Sequence, residues 1–121
     1  MLPNLISDYT KENQPELVEE IKAIINGVNP SAAVAALRGL AERDDHRDLL
    51  SSISVPTLLI FGEDDNITNL EAAESLNAGI RQAKLFKIER AGHYSNLEQP
   101  AQFNAALGAF LASLKNGAAL P

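Results

Sequence analysis

Two stretches of the chain place residues capable of acid–base chemistry directly after a run typical of a β-strand. The first run, Thr57–Phe61, is followed by Gly62 and the acidic turn Glu63–Asp65. The second run, Lys84–Glu89, is followed by a short turn that leads to His93. In an open parallel sheet, functional groups lie at the edge formed by the carboxyl ends of the strands. The pattern therefore predicts that a carboxylate and an imidazole stand at one such edge.

The segment between the two strands is predicted to be a helix that connects them. Residues 68–71 form a capping-box pattern with Thr68 as the predicted N-cap, and Gly79 suits the end of the helix. The continuous apolar run of the first strand is typical of a strand buried on both faces. A strand–helix–strand unit of this length predicts a right-handed crossover between parallel strands.

Further helices are predicted on both sides of this unit. One helix is predicted to begin at Pro15, with Gly27 just past its end, and a second begins at Asn29-Pro30, where asparagine can cap the first turn. A last helix begins at Pro100. Residues 1–14 indicate only a short turn or the start of a helix.

Composition restricts the classes of partner. The 121 residues suffice for one small domain, 45% of them are hydrophobic, and the net charge is −6. This charge argues against nucleic acid or an anionic membrane surface as a partner, because both attract basic faces. The lack of an apolar membrane span and of a signal-peptide pattern favours a cytoplasmic location.

The same composition restricts the kinds of site. The chain has no cysteine and two histidines, so it has no recognisable set of metal ligands. It has no glycine-rich phosphate loop either, and no cofactor is predicted. One of the histidines, His46, lies in the charged run 42–48, which is typical of a solvated linker.

Three motifs in this order resemble the C-terminal part of the α/β-hydrolase superfamily. They are Val-Pro-Thr-Leu-Leu-Ile from Val55, Gly62-x-x-Asp65, and Ala-Gly-His93 running on to Pro100. Within the superfamily, the chain is most similar to the 3-oxoadipate enol-lactonase and esterase group. The resemblance implies a partial α/β-hydrolase fold, in which a short parallel sheet of two strands is flanked by helices and preceded by cap-like helices.

The resemblance also implies how the chain is divided and which residues act. Residues 1–48 would form a helical cap-like segment, residues 49–115 the C-terminal hydrolase segment, and residues 116–121 a tail. Asp65, the last residue of Gly-x-x-Asp, would be the acid of a Ser-His-Asp triad, and His93 would be the base. The substrate would be a small carboxylic ester or lactone.

Other roles remain open for the polar residues of this region. Asp65 could instead be a turn residue whose carboxylate bonds its own backbone, and His93 could be a surface histidine that follows a strand. Glu98 is interpreted as a residue at the start of a helix rather than a general acid. Ser95 and Asn96 are interpreted as caps of the turn that follows the histidine.

The serine of the triad is missing, since neither Gly-x-Ser-x-Gly nor a preceding His-Gly oxyanion loop occurs. The chain is therefore predicted to be the C-terminal fragment of a hydrolase, inactive alone. The alternative is a non-catalytic, self-associating interaction module derived from a hydrolase. In both cases the open edges of a two-stranded sheet predict a partner, either another copy of the chain or a missing N-terminal hydrolase part. A weaker possibility is that Ser95 or another hydroxyl reaches His93 across an oligomer interface.

Overall fold

A computed structural model describes residues 2–115 of the chain, and the tail predicted for residues 116–121 lies outside the described residues. The two strands lie between groups of helices along the sequence. In chain order the elements are α1 (Leu2–Leu5), α2 (Asp8–Asn13), α3 (Pro15–Asn26), α4 (Pro30–Glu42), a 3₁₀ helix (Arg47–Ser52), β1 (Thr57–Gly62), α5 (Leu70–Gly79), β2 (Ala83–Ile88), α6 (Ser95–Glu98) and α7 (Pro100–Lys115). Within the described part, no helix is both long and apolar enough to cross a membrane.

β1 and β2 form a parallel pair whose register joins Thr57 to Ala83 and Gly62 to Ile88. Helix α5 connects the two strands, and both α5 and α7 pack on them. The predicted α/β architecture, a two-stranded parallel sheet flanked by helices, is confirmed. Because the strands are parallel and in register, their carboxyl ends lie at the same edge of the sheet.

β1 is less buried than its apolar run predicts. Residues Thr57–Ile60 are half-buried, and Phe61 and Gly62 at the carboxyl end are buried. The prediction of burial on both faces is therefore wrong for most of the strand. Within residues 2–115 this strand has one neighbouring strand instead of two, so part of its surface is left uncovered.

Helices α3, α4 and α7 each begin at the predicted proline, whereas α5 begins one residue late. Its N-cap is Asn69, whose side-chain oxygen accepts a hydrogen bond from the Ala72 N–H at 3.0 Å. The prediction of Thr68 as the cap is wrong, because the Thr68 N–H donates to the Asp65 carboxylate at 2.9 Å and belongs to the preceding turn.

The N-terminal segment, predicted as a short turn or the start of a helix, forms α1 and α2 and contributes to the core. Leu5, Ile6 and Ile21 are the buried centre of a hydrophobic cluster, and Tyr94 packs against it. Tyr94 directly follows His93 in the chain, so the cluster joins the predicted cap-like segment to the predicted hydrolase segment. The boundary between those two segments stays a prediction.

Candidate active site

Asp65 and His93 meet at the carboxyl edge of the sheet. The Oδ2 atom of Asp65 lies 3.0 Å from Nδ1 of His93, which is a hydrogen bond in the tautomer that carries its proton on Nδ1. The Asp65 side chain is 5% exposed and the His93 side chain 37%. Among the described residues, the imidazole ring makes this one hydrogen bond, so Nε2 is available to another group.

The second carboxylate oxygen of Asp65 organises its own turn. Oδ1 accepts hydrogen bonds from the backbone N–H groups of Ile67 at 2.8 Å and Thr68 at 2.9 Å. Asp65 therefore bonds its own turn through Oδ1, as one sequence-based interpretation expected, and contacts His93 through Oδ2. Both features fix the plane of the carboxylate relative to His93.

The turn after β1 is held against the turn after β2 by backbone contacts. The Asp64 N–H donates to the Ala91 carbonyl at 2.8 Å. Gly62 lies at this junction, and a Cβ atom there would overlap the carbonyl oxygens of Ala91 and Gly92. Only glycine therefore allows the two turns to approach as closely as the Asp65–His93 contact requires.

The histidine turn is fixed from its other side by the N-terminal segment. Arg90 lies in the turn after β2 with a left-handed φ of 58°, and its guanidinium lies 4.9 Å from the centre of the Tyr9 ring. The His93 N–H donates to the Leu5 carbonyl at 2.8 Å, and Gly92 packs against the backbone of the same segment. His93 is thus held between the end of β1 and residues near the N-terminus.

Glu98 is a second buried carboxylate beside this turn. The residue is 1% exposed, and it accepts hydrogen bonds from Ser7 N at 2.7 Å, Thr10 Oγ1 at 2.8 Å and Gly92 N at 2.8 Å. It lies in the single turn of α6, two residues before α7 begins, so a position at the start of a helix describes its place in the chain but not the contacts of its carboxylate. No local pattern could reveal its role, because Ser7 and Thr10 lie 91 and 88 positions away.

Ser95 and Asn96 do not cap the turn after the histidine. The N-cap of α6 is Tyr94, whose side chain makes no capping hydrogen bond, and Ser95 is a buried residue of the helix itself. The bonds formed by Glu98 and by the N-terminal segment hold this turn instead.

Partial burial raises the pKa of Asp64, and the neighbouring carboxylates of Glu63, Asp8 and Glu98 raise it further. Ionisation of Asp64 is therefore less favourable in the folded chain than in the unfolded chain. Its contribution to stability falls as the pH rises from the ordinary pKa of an aspartate through the raised value.

Within residues 2–115, no group of three or more His, Cys, Asp and Glu side chains is arranged to hold a metal ion.

Residues 7–100 match the model of a protein family described as alpha/beta hydrolase fold. The chain belongs to this family. The match covers Asp65 and His93 together with Ser7, Thr10 and Glu98. The similarity to the enol-lactonase and esterase group that the motifs indicated is confirmed by the relatives below.

Three proteins illustrate the similarity. The 3-oxoadipate enol-lactonase 1 of Acinetobacter baylyi is 39% identical over 66% of this chain, and enol-lactonase 2 of the same organism is 34% identical over 83% of it. The matches cover 29% and 37% of those two relatives, so the chain spans well under half of their length. A thermophilic esterase from Thermogutta terrifontis, solved with malate bound, has a TM-score of 0.90 and 36% identity over 93% of this chain and 42% of its own.

Proposed function

We propose that the chain supplies the acid and the base of a Ser-His-Asp triad to a hydrolase of carboxylic esters or lactones. Asp65 is the acid and His93 the base, and the nucleophilic serine lies on polypeptide outside these 121 residues. The observation that carries the proposal is the 3.0 Å contact between Asp65 Oδ2 and His93 Nδ1 at a sheet edge. Membership of the hydrolase family and similarity to enol-lactonases and an esterase support it.

The proposed mechanism uses each nitrogen of His93 for a different task. Asp65 holds the proton on Nδ1, so Nε2 is unprotonated and accepts the proton of the serine hydroxyl as its oxygen attacks the substrate carbonyl. His93 then returns that proton to the leaving alkoxide, and water repeats the two steps on the acyl-enzyme. The Asp65 carboxylate, 5% exposed, stabilises the transient imidazolium because charges interact more strongly away from water.

We place the chain in the C-terminal part of such a hydrolase. In this family the three groups occur in the order serine, acid and histidine, and the chain has an acid followed by a histidine with no Gly-x-Ser-x-Gly before them. The donors that stabilise the oxyanion would then also come from outside the chain. Similarity to enol-lactonases and to an esterase supports the proposed substrate class, and the cytoplasmic location stays a prediction.

A chimeric enzyme tests the proposal. Residues 2–115 of this chain replace the corresponding part of the Thermogutta terrifontis esterase, which supplies the serine. We expect the chimera to hydrolyse an activated ester, and Asp65→Asn and His93→Ala to lower kcat by about 10³–10⁴. The controls are Asp44→Asn and His46→Ala, which alter exposed residues of the charged run. The chain alone should hydrolyse the ester no faster than its His93→Ala variant.

Two results would contradict the proposal. The first is a folded, active chimera whose rate does not depend on His93, because the base would then be another group. The second is a chain that cleaves the ester by itself through His93, because a nucleophile would then be present within it or across an interface.

A second candidate function, a self-associating interaction module, is favoured by the surface of α4. Val34, Leu37 and Leu40 are 46%, 59% and 57% exposed, and no residue of the helix is buried. We propose that two copies of the chain pack through these helices. Light scattering should give a dimer that Leu37→Glu converts to a monomer and that Leu49→Glu, at another exposed leucine, leaves intact. A monomeric wild type would contradict self-association.

A further inference from the structure

We propose that Glu98 is a positioning residue, which clamps the histidine turn to the N-terminal segment so that Nδ1 of His93 faces Asp65. The proposal rests on the proposed function, because the orientation of the imidazole matters only if His93 is a base. Glu98 itself does not touch the imidazole through any hydrogen bond of the described residues. Its effect would pass through Gly92, the residue that directly precedes His93.

The surroundings of Glu98 require a carboxylate. Oε1 accepts from the Ser7 N–H and the Thr10 hydroxyl, and Oε2 accepts from the Gly92 N–H. A carboxylate only accepts hydrogen bonds, so it can serve donors at both of its ends at once. A glutamine of the same shape would turn an NH₂ group towards one of these donors and leave that donor without an acceptor.

Neutral donors alone hold this buried charge. The ion pairs of the described residues involve other side chains, and none includes Glu98. A buried carboxylate without a cationic partner depends on its hydrogen bonds, and charge-assisted bonds of this kind are stronger than neutral ones. The hydrogen bonds that Glu98 accepts from Ser7, Thr10 and Gly92 therefore stabilise one specific arrangement of the N-terminal segment and the histidine turn.

The arrangement restrains two consecutive backbone N–H groups that lead into His93. The Gly92 N–H is bound by Glu98 before the histidine, and the His93 N–H is bound by the Leu5 carbonyl at 2.8 Å. Both restraints lead to the same N-terminal segment, since Ser7 is also bound by Glu98. Without Glu98 the peptide before His93 would lose one of its two restraints, and the 3.0 Å contact with Asp65 would open more often.

A purely structural role makes a different prediction. If Glu98 only stabilised the fold, its loss would lower the melting temperature and leave the imidazole of every folded molecule unchanged. If Glu98 positions the base, the imidazole changes in molecules that are still folded. The tautomer and the exchange rate of the Nδ1 proton of His93 distinguish the two roles, and neither requires catalysis.

The test is nuclear magnetic resonance of the full chain labelled with ¹⁵N-histidine, in the wild type and in Glu98→Gln. We expect the Nδ1 proton of His93 to exchange with water about tenfold faster in Glu98→Gln, because a charge-assisted hydrogen bond is lost. Glu12→Gln is the matched control, since it makes the same substitution at an exposed position of α2 and should leave the exchange unchanged. Asp65→Asn gives the reference spectrum for a broken pair.

The outcomes separate this proposal from the proposed function. A folded Glu98→Gln chain with a lowered melting temperature but an unchanged His93 spectrum overturns the positioning role. If Glu98→Gln does not fold, the same exchange rate is measured in Thr10→Val, which removes one donor to Glu98 Oε1 at nearly constant shape. Faster exchange of the Nδ1 proton of His93 supports the proposal, and unchanged exchange overturns it. A folded, active chimera whose rate does not depend on His93 would count against the proposed function alone, while a His93-dependent chimera should lose kcat and keep KM in Glu98→Gln.

Discussion

The substitution Gly62→Ala tests whether the close contact between the two turns holds the site together. The added Cβ atom would lie 2.8 Å from the carbonyl carbon of Ala91, where ordinary contact begins near 3.4 Å, and it would overlap two carbonyl oxygens. Because these atoms belong to the backbone, no side chain can rotate away to make room. The turn after β1 and the turn after β2 must therefore separate.

The magnitude follows from the hydrogen bonds that the separation breaks. Glu63 N donates to the Ile88 carbonyl at 2.9 Å and Asp64 N to the Ala91 carbonyl at 2.8 Å. A hydrogen bond left unmade at such a junction costs about 1–2 kcal/mol. The free energy of unfolding should therefore fall by about 2–4 kcal/mol, a large share of the stability of a small domain.

Urea unfolding followed by circular dichroism measures this change. The control is Gly108→Ala in α7, where the added Cβ meets no atom within 4 Å and should stabilise the helix by up to about 1 kcal/mol. The reasoning is refuted if Gly62→Ala unfolds at the same urea concentration as the wild type, or if the control loses as much stability.

Three further substitutions test separate parts of the structure. Asp65→Asn keeps one oxygen for the turn, so we expect a melting temperature within about 5 °C of the wild type. It also directs an amide towards His93, so the imidazole proton should move from Nδ1 to Nε2 in the nuclear magnetic resonance spectrum. An unchanged tautomer would contradict the pairing of Asp65 with His93. Asp64→Asn removes a carboxylate whose pKa is raised in the folded chain. The variant should therefore have a higher melting temperature than the wild type above that pKa and an equal one below about pH 3.5. Thermal denaturation across the pH range measures the difference. Ile21→Ala should cost about 2–5 kcal/mol in the urea assay, because this residue is 1% exposed in the core. The matched control is Leu49→Ala, at an exposed leucine outside α4, which should cost less than about 0.5 kcal/mol.

The meeting of Asp65 and His93 was predictable from the sequence because it depends on local patterns and one geometric rule. Each residue follows a strand directly, and parallel strands bring their carboxyl ends to the same edge of a sheet. The same locality made the starts of α3, α4 and α7 readable from prolines. At Thr68 the local pattern failed, because the Thr68 N–H is bound by Asp65 and the side chain of Asn69 caps the helix instead.

The supports of the site were not predictable, because they join residues far apart in the chain. Ser7 and Thr10 lie in a segment with mixed polarity, and Glu98 stands among residues typical of the start of a helix. Their hydrogen bonds exist only after the N-terminal segment has folded onto the histidine turn. The burial of a polar residue by distant partners leaves no periodic pattern in a single sequence.

The structure also supplies a physical reason to favour Asp65 over Asp64 as the acid, a choice that the sequence motif made by position alone. The oxygens of Asp65 accept hydrogen bonds from Ile67, Thr68 and His93, so its carboxylate is fixed in direct contact with the imidazole. The carboxyl group of Asp64 faces other carboxylates, and its pKa is raised. An acid that opposes a developing imidazolium must carry its negative charge when that charge is needed. Of the two neighbouring aspartates, Asp65 is therefore better suited to act as the acid that pairs with His93. Asp64→Asn should leave the tautomer of His93 unchanged, whereas Asp65→Asn should reverse it.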